Sequence, residues 1–139
     1  MTELSYDTLF ATAKTIAVVG LSPNPERPSF EVAQAMQAAG FRIVPVNPRA
    51  AGRTILGETC VATLADVAVP VDIVDCFRRS EEMVEVATAA AAMRPRPSVL
   101  WMQIGVGNEQ AAQIARDAGM AVVQNRCIKV EYRGWKARR

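Results

Sequence analysis

The sequence predicts a doubly wound α/β domain, with a mostly parallel sheet of five or six strands and helices on both faces, spanning residues 1–139. Two observations carry this. Short, strongly apolar runs such as TIAVVG at 15–20 and SVLWMQI at 98–104 read as strands buried on both faces. These runs alternate with segments of helical periodicity across short turns, the order that places helices over a parallel sheet.

Each element has a local reason. Residues 2–13 form a leading helix, with Tyr6, Phe10 and Ala13 at helical spacing. After strand 15–20 comes helix 29–39, with Ala33, Met36 and Ala39 on one side and Gly40 as its C-terminal stop. Strand 41–46 (FRIVPV) contains Pro45, which demands an unpaired N–H position. Residues 47–58 read as a loop, 60–61 as a very short strand and 63–67 as a helical turn. Strand 71–77 (VDIVDCF) leads into helix 80–93, with Ser80 as N-cap and Glu81 and Glu82 in the first turn. Strand 98–104 leads into a helix that Asn108 caps and Gly119 closes; strand 120–123 follows. In the tail, Ile128, Val130 and Tyr132 alternate and predict an edge strand before Gly134.

Composition narrows the function. Half the residues are hydrophobic and 22% are charged, as in a soluble globular protein. The net charge of +2 gives no strong field, so nucleic-acid binding is not expected. The basic residues of the tail (Arg126, Lys129, Arg133, Lys136, Arg138, Arg139) read as a solvated segment. No run approaches the roughly 20 apolar residues needed to span a membrane. The leading MTELSYDTLFATAK resembles neither a signal nor a transit peptide, so a cytoplasmic location is expected. Cys60, Cys76 and Cys127 lack the spacing of a disulfide framework or zinc site. There is no histidine, which removes Ser-His-Asp and Cys-His catalysis and histidine-ligated metals. With no evident catalytic set, the expectation is a binding protein rather than an enzyme.

Such a fold binds ligands at the carboxyl ends of its strands. The first loop, AVVGLSPNPERPS, keeps Gly20 of a dinucleotide-type turn but lacks the later glycines. Pro23, Pro25 and Pro28 stiffen it and remove N–H donors, which shifts polar work to Ser22, Asn24, Ser29 and the helix start, while Arg27 adds charge. After the second strand, Asn47-Pro48-Arg49 offers a cation where NAD enzymes usually carry a carboxylate. That favours a ribose with an extra phosphate, present in both NADP and coenzyme A. The third loop holds Cys76, Phe77, Arg78 and Arg79. Two arginines at a helix start oppose its dipole, which an anion would relieve. Phe77 could face a ligand or pack in the core; Cys76 is a candidate exposed thiol. Gln103 is a polar residue in an apolar strand, able to reach a ligand.

Taken together, GLSPNPERPS, VPVNP, VDIVDCFRR, LWMQIG followed by NEQAA, and NRCIKVE resemble the small stand-alone CoA-binding proteins of Rossmann type. These are similar to the CoA-binding domain of the succinyl-CoA synthetase α subunit. The resemblance runs from about 15 to 131. It implies that Ser22, Pro23, Asn24, Pro25 and Arg27 cradle the phosphates of coenzyme A or an acyl-CoA. Pro48 and Arg49 would lie by the 3′-phosphate and adenosine, and Cys76, Phe77 and Arg78 would flank the nucleotide or the pantetheine arm. Asn125 stands where the family commonly has Asp, so no role of that carboxylate carries over. The synthetase's second domain and phosphorylated histidine have no counterpart, so the resemblance implies binding without ligase chemistry.

The competing readings are an NADP-dependent oxidoreductase, which accounts for Arg49 but not for the missing glycines, and a nucleotide-binding regulatory module. A mixed disulfide between Cys76 and the CoA thiol is a further expectation under oxidising conditions. Homodimerisation through Trp101, Tyr132 and Trp135, or an unidentified protein partner, is also expected.

Overall fold

The computed structural model describes residues 4–139. Its helices are α1 (Tyr6–Thr12), α2 (Pro28–Ala38), α3 (Met83–Ala91), α4 (Glu109–Asp117) and α5 (Ile128–Ala137). Its strands are β1 (Thr15–Val19), β2 (Arg42–Val46), β3 (Thr54–Ile55), β4 (Glu58–Thr59), β5 (Ile73–Cys76), β6 (Val99–Met102) and β7 (Ala121–Val123). Five strands form one parallel sheet in the order β2-β1-β5-β6-β7. The strand order reverses between β1 and β5, which places the fold's natural ligand crevice outside their carboxyl ends. The pair β3–β4 is a separate antiparallel ribbon.

Alternation along the strands divides the core in two. On one face Ile16, Val18, Ile73 and Trp101 pack with Leu9, Phe10, Val32, Met36, Ile128 and Trp135, so α1, α2 and α5 cover it. On the other, Ala17, Val19, Val74, Cys76 and Met102 pack with Met83, Ala87, Ala111 and Ala115 of α3 and α4. The alanines lie where the helices meet the sheet and one another, and small side chains let them approach closely.

Most boundaries match the sequence reading, and five details correct it. The tail is the helix α5, not an edge strand. Ile128, Tyr132 and Trp135 recur at helical spacing, with Ile128 and Trp135 buried, whereas Val130 is 57% exposed. Helical periodicity, not alternation, satisfies the apolar face. Ser80 is not the N-cap of α3: it opens a 3-10 turn, Ser80–Glu82, and its hydroxyl accepts from Gly107 N–H at 3.1 Å. Pro45 causes no conflict, because β2 is an edge of the sheet and its outer side meets Val61, whose N–H donates to Pro45 O at 3.1 Å. The aromatics assigned to an interface pack internally: Trp101 donates to Arg126 O at 2.8 Å, Trp135 to Asp7 at 2.7 Å, and Phe10 contacts Tyr132 edge-on. Several tail charges also have partners, Lys129 on Glu31, Arg126 on Glu131 and Arg139 over the Trp135 ring.

Among the described residues, no helix is long and apolar enough to cross a membrane.

Candidate functional site

The site begins where β1 ends. Gly20 has φ +89°, and a Cβ there would meet Phe77 O at 2.5 Å. The position therefore requires glycine for conformation and for space. Gly20 N–H donates to Val46 O at 2.7 Å, and Phe77 N–H to Val19 O at 2.8 Å. The ends of β2, β1 and β5 are thus tied into one surface.

Beyond Gly20 the loop folds on its own side chains. Ser22 N–H donates to Ser29 Oγ (3.0 Å), Asn24 N–H to Ser22 Oγ (3.1 Å) and Glu26 N–H to Asn24 Oδ1 (3.0 Å). The acceptor side of each is used internally. The Ser22 hydroxyl and the Asn24 Nδ2 donate to no protein group among the described residues, which leaves donors, the useful polarity for an anion. Pro28 starts α2, whose N-cap, Arg27, makes no side-chain capping bond. Pro23 is half-buried and Pro25 exposed in this loop.

Asn47 clasps the second loop to the first. Its Nδ2 donates to Leu21 O at 3.0 Å, while its Oδ1 accepts from Arg49 N–H at 3.0 Å and caps the 3-10 turn Pro48–Ala50. Arg27 and Arg49 are both exposed, and neither takes part in an ion pair among the described residues.

Arg78 and Arg79 differ from the expectation. Arg78 bonds Glu82 at 2.9 Å, and Arg79 lies 3.5 Å from Glu82 and 3.8 Å from Glu81, so carboxylates of the chain itself face both arginines. Burial would raise the Glu82 pKa, but the two arginines hold it below the ordinary carboxylate value.

The Phe77–Arg78 turn separates two clefts. One, of about 340 Å³, lies between Pro48, Val46, Leu64 and the α3 side chains Glu85 and Val86. The other, of about 490 Å³, is lined by Pro28, Val32, Phe77, Gln103, Ile104 and Cys127. Arg78 borders both. Ile104, 68% exposed, leaves an apolar side chain at the second cleft's mouth.

Cys76 joins neither cleft. It is 0% exposed and its Sγ–H points to Val74 O at 3.7 Å in the core under α3. Burial and then the Asp75 charge push its thiol well above the ordinary value. The exposed-thiol expectation fails because strand alternation turns this side chain away from the loops. Cys127, unassigned in the sequence reading, is the part-exposed thiol and lines the second cleft. Asp75 was also missed. It is buried and accepts from Gln103 Nε2 at 2.5 Å. A charged residue in the apolar run VDIVDC was its sequence signal. Asn125 serves the turn after β6. At φ +58° its Oδ1 accepts from Gly105 N–H at 2.7 Å, which a carboxylate would do equally.

The single reversal of strand order, with clefts at the strand carboxyl ends, defines a Rossmann-like α/β domain. Residues 14–133 match the CoA binding domain family, and the chain belongs to that family. It is 42% identical over 120 residues to the uncharacterised protein YneT of Bacillus subtilis, covering 86% of each chain. The Thermus thermophilus protein designated cell-free ID.343 has a similar structure, with a TM-score of 0.87, 36% identity and coverage of 92% of this chain and 94% of that one. A dinucleotide-forming acetyl-coenzyme A synthetase of Ca. Korarchaeum cryptofilum shares the fold at a TM-score of 0.66 and 21% identity, over 78% of this chain and 25% of that one.

Proposed function

We propose that the protein binds coenzyme A or a short acyl-CoA and performs no chemistry of its own on it. The observation that carries this is the pair of cations Arg27 and Arg49, without ion-pair partners among the described residues, on two loops clasped together by Asn47 at the strand ends. In this reading the loop from Gly20 to Ser29, with Ser22, Pro23, Asn24 and Pro25, and the start of α2 hold the pyrophosphate. Asn47, Pro48 and Arg49 take the adenosine and its 3′-phosphate. The pantetheine arm crosses Phe77, Arg78 and Arg79 into the cleft at Gln103. Membership of the CoA binding domain family supports the ligand class. The residues fit such a ligand: donors and free cations for phosphates lie beside an apolar cleft for an amide-bearing arm. A non-catalytic role is supported by the missing histidine and by arginines already paired with Glu81 and Glu82.

Titration calorimetry with coenzyme A, acetyl-CoA, NAD, NADP and ATP tests the reading. Saturable binding of coenzyme A with no response to NADP is expected. Binding of NADP without coenzyme A would replace it with the oxidoreductase reading.

A further inference from the structure

Asp75 is a buried carboxylate, 1% exposed, in the central strand of the sheet. Its register neighbours are Val18 in β1 and Trp101 in β6. On its face of the sheet, α2 brings Val32, Ala33 and Met36, and α5 brings Ile128 and Trp135, all apolar. Among the described residues it has no ion-pair partner. The titratable and charged groups around it are Cys76, which points to the opposite core, and Arg78, Arg79 and Cys127, which line the cleft beyond Gln103. Its side-chain partner is Gln103, itself 3% exposed and lining that cleft.

This arrangement fixes a direction. An ionised carboxylate only accepts, so the amide must present Nε2 to it. Gln103 Oε1 then accepts no hydrogen bond from the described residues. Since no side-chain oxygen among the described residues is both buried and unpartnered, Oε1 opens to the cleft that Gln103 lines.

We propose that Asp75 is a positioning residue that sets the hydrogen-bond polarity of the cleft. Its carboxylate holds Gln103 with Oε1 forward, so the cleft selects an N–H donor on the amide-bearing arm of the ligand. Protonation of Asp75 reverses this. The carboxyl then donates to Oε1, the amide turns, and the cleft is offered Nε2–H instead. Burial pushes Asp75 up to about 7, against the lowering by Gln103 and the Cys76 N–H, and no charged side chain contributes. The reversal therefore falls near neutral pH. The proposal rests on the coenzyme A reading above.

The test is titration of the full chain with coenzyme A and with 3′-dephospho-coenzyme A at pH 6 and pH 8. The second ligand keeps the amide arm but has no phosphate monoester to titrate in this range, and the chain has no histidine to interfere. Affinity for 3′-dephospho-coenzyme A is expected to fall about tenfold from pH 8 to pH 6, the worth of one hydrogen bond to a desolvated group. Asp75→Asn, which mimics the neutral carboxyl, is expected to bind at pH 8 as the wild type does at pH 6 and to show no change between the two. Equal wild-type affinity at both pH values overturns the proposal whether or not the variant folds. Binding of neither ligand at either pH overturns the coenzyme A reading as well.

Discussion

The carbonyl oxygen of Phe77 occupies the space a side chain on Gly20 would need, 2.5 Å from the ideal Cβ position. Gly40 shares the left-handed conformation, at φ +110°, but a Cβ there meets nothing within 4 Å. Gly20→Ala is expected to destabilise the fold by about 3 kcal/mol, and Gly40→Ala by about 1–2 kcal/mol, the conformational part alone. Urea denaturation of the two variants measures the difference. Equal losses would mean that the Phe77 turn yields freely.

Arg49 and Arg27 separate two kinds of phosphate. Arg49→Ala is expected to weaken coenzyme A binding about tenfold while leaving 3′-dephospho-coenzyme A unchanged, since a charge-assisted contact to the 3′-phosphate is lost. Arg27→Ala is expected to weaken both ligands alike. If Arg49→Ala affects the two equally, the assignment of Arg49 to the 3′-phosphate is wrong.

The thiols are expected to react in order of exposure. Cys127 should be alkylated by iodoacetamide in the folded protein, and Cys60 and Cys76, both buried, only after unfolding. Saturating coenzyme A should slow the labelling of Cys127, because that thiol lines the cleft assigned to the arm. Peptide mass mapping after timed labelling shows the order. Early modification of Cys76 would contradict its burial.

Asp75 should weaken the fold as pH rises. Its pKa moves from an ordinary 3.8 to about 7 on folding. The folded state thus holds the proton more tightly. The contribution to stability is full below pH 3.8 and is lost progressively until the pH passes 7. Asp75→Asn should escape this loss. The stability gap in favour of the variant should widen by about 2–3 kcal/mol between pH 5 and pH 8. Denaturant titrations at the two pH values check it, and a gap independent of pH would mean that Asp75 is not protonated in the folded protein.

The sheet was legible because runs such as TIAVVG and SVLWMQI are apolar on successive residues through their centres, as strands buried on both faces require. The tail was not, because Ile128, Val130 and Tyr132 satisfy a two-residue period as readily as Ile128, Tyr132 and Trp135 satisfy a helical one. Burial of Trp135 beside Phe10 decides between them, and that contact joins distant parts of the chain. In the site, the loop after β1 and the Asn47-Pro48-Arg49 turn were readable from glycine, proline and charge. The clasp between Asn47 and Leu21 was not, since an amide gives no sign of the carbonyl it will meet. The charge on Arg78 and Arg79 suggested an anion because Glu82, only one turn away, was read as serving the helix dipole. Cys76 was misplaced because alternation alone does not say which core of a sheet buried on both faces a side chain enters, and this one enters the core under α3.

Pro45 and Val61 carry a consequence for the protein's behaviour in concentrated solution. An outermost strand with a full row of free amides is a template on which another chain can grow a strand. Here that row is interrupted at Pro45 and its carboxyl end is taken up by Val61, whose N–H meets the Pro45 carbonyl and whose own carbonyl receives Asn47 N–H. The opposite border is β7, only three residues long. Neither margin offers a foreign strand a run of partners, so the sheet is guarded against edge-to-edge aggregation while its crevice end stays open.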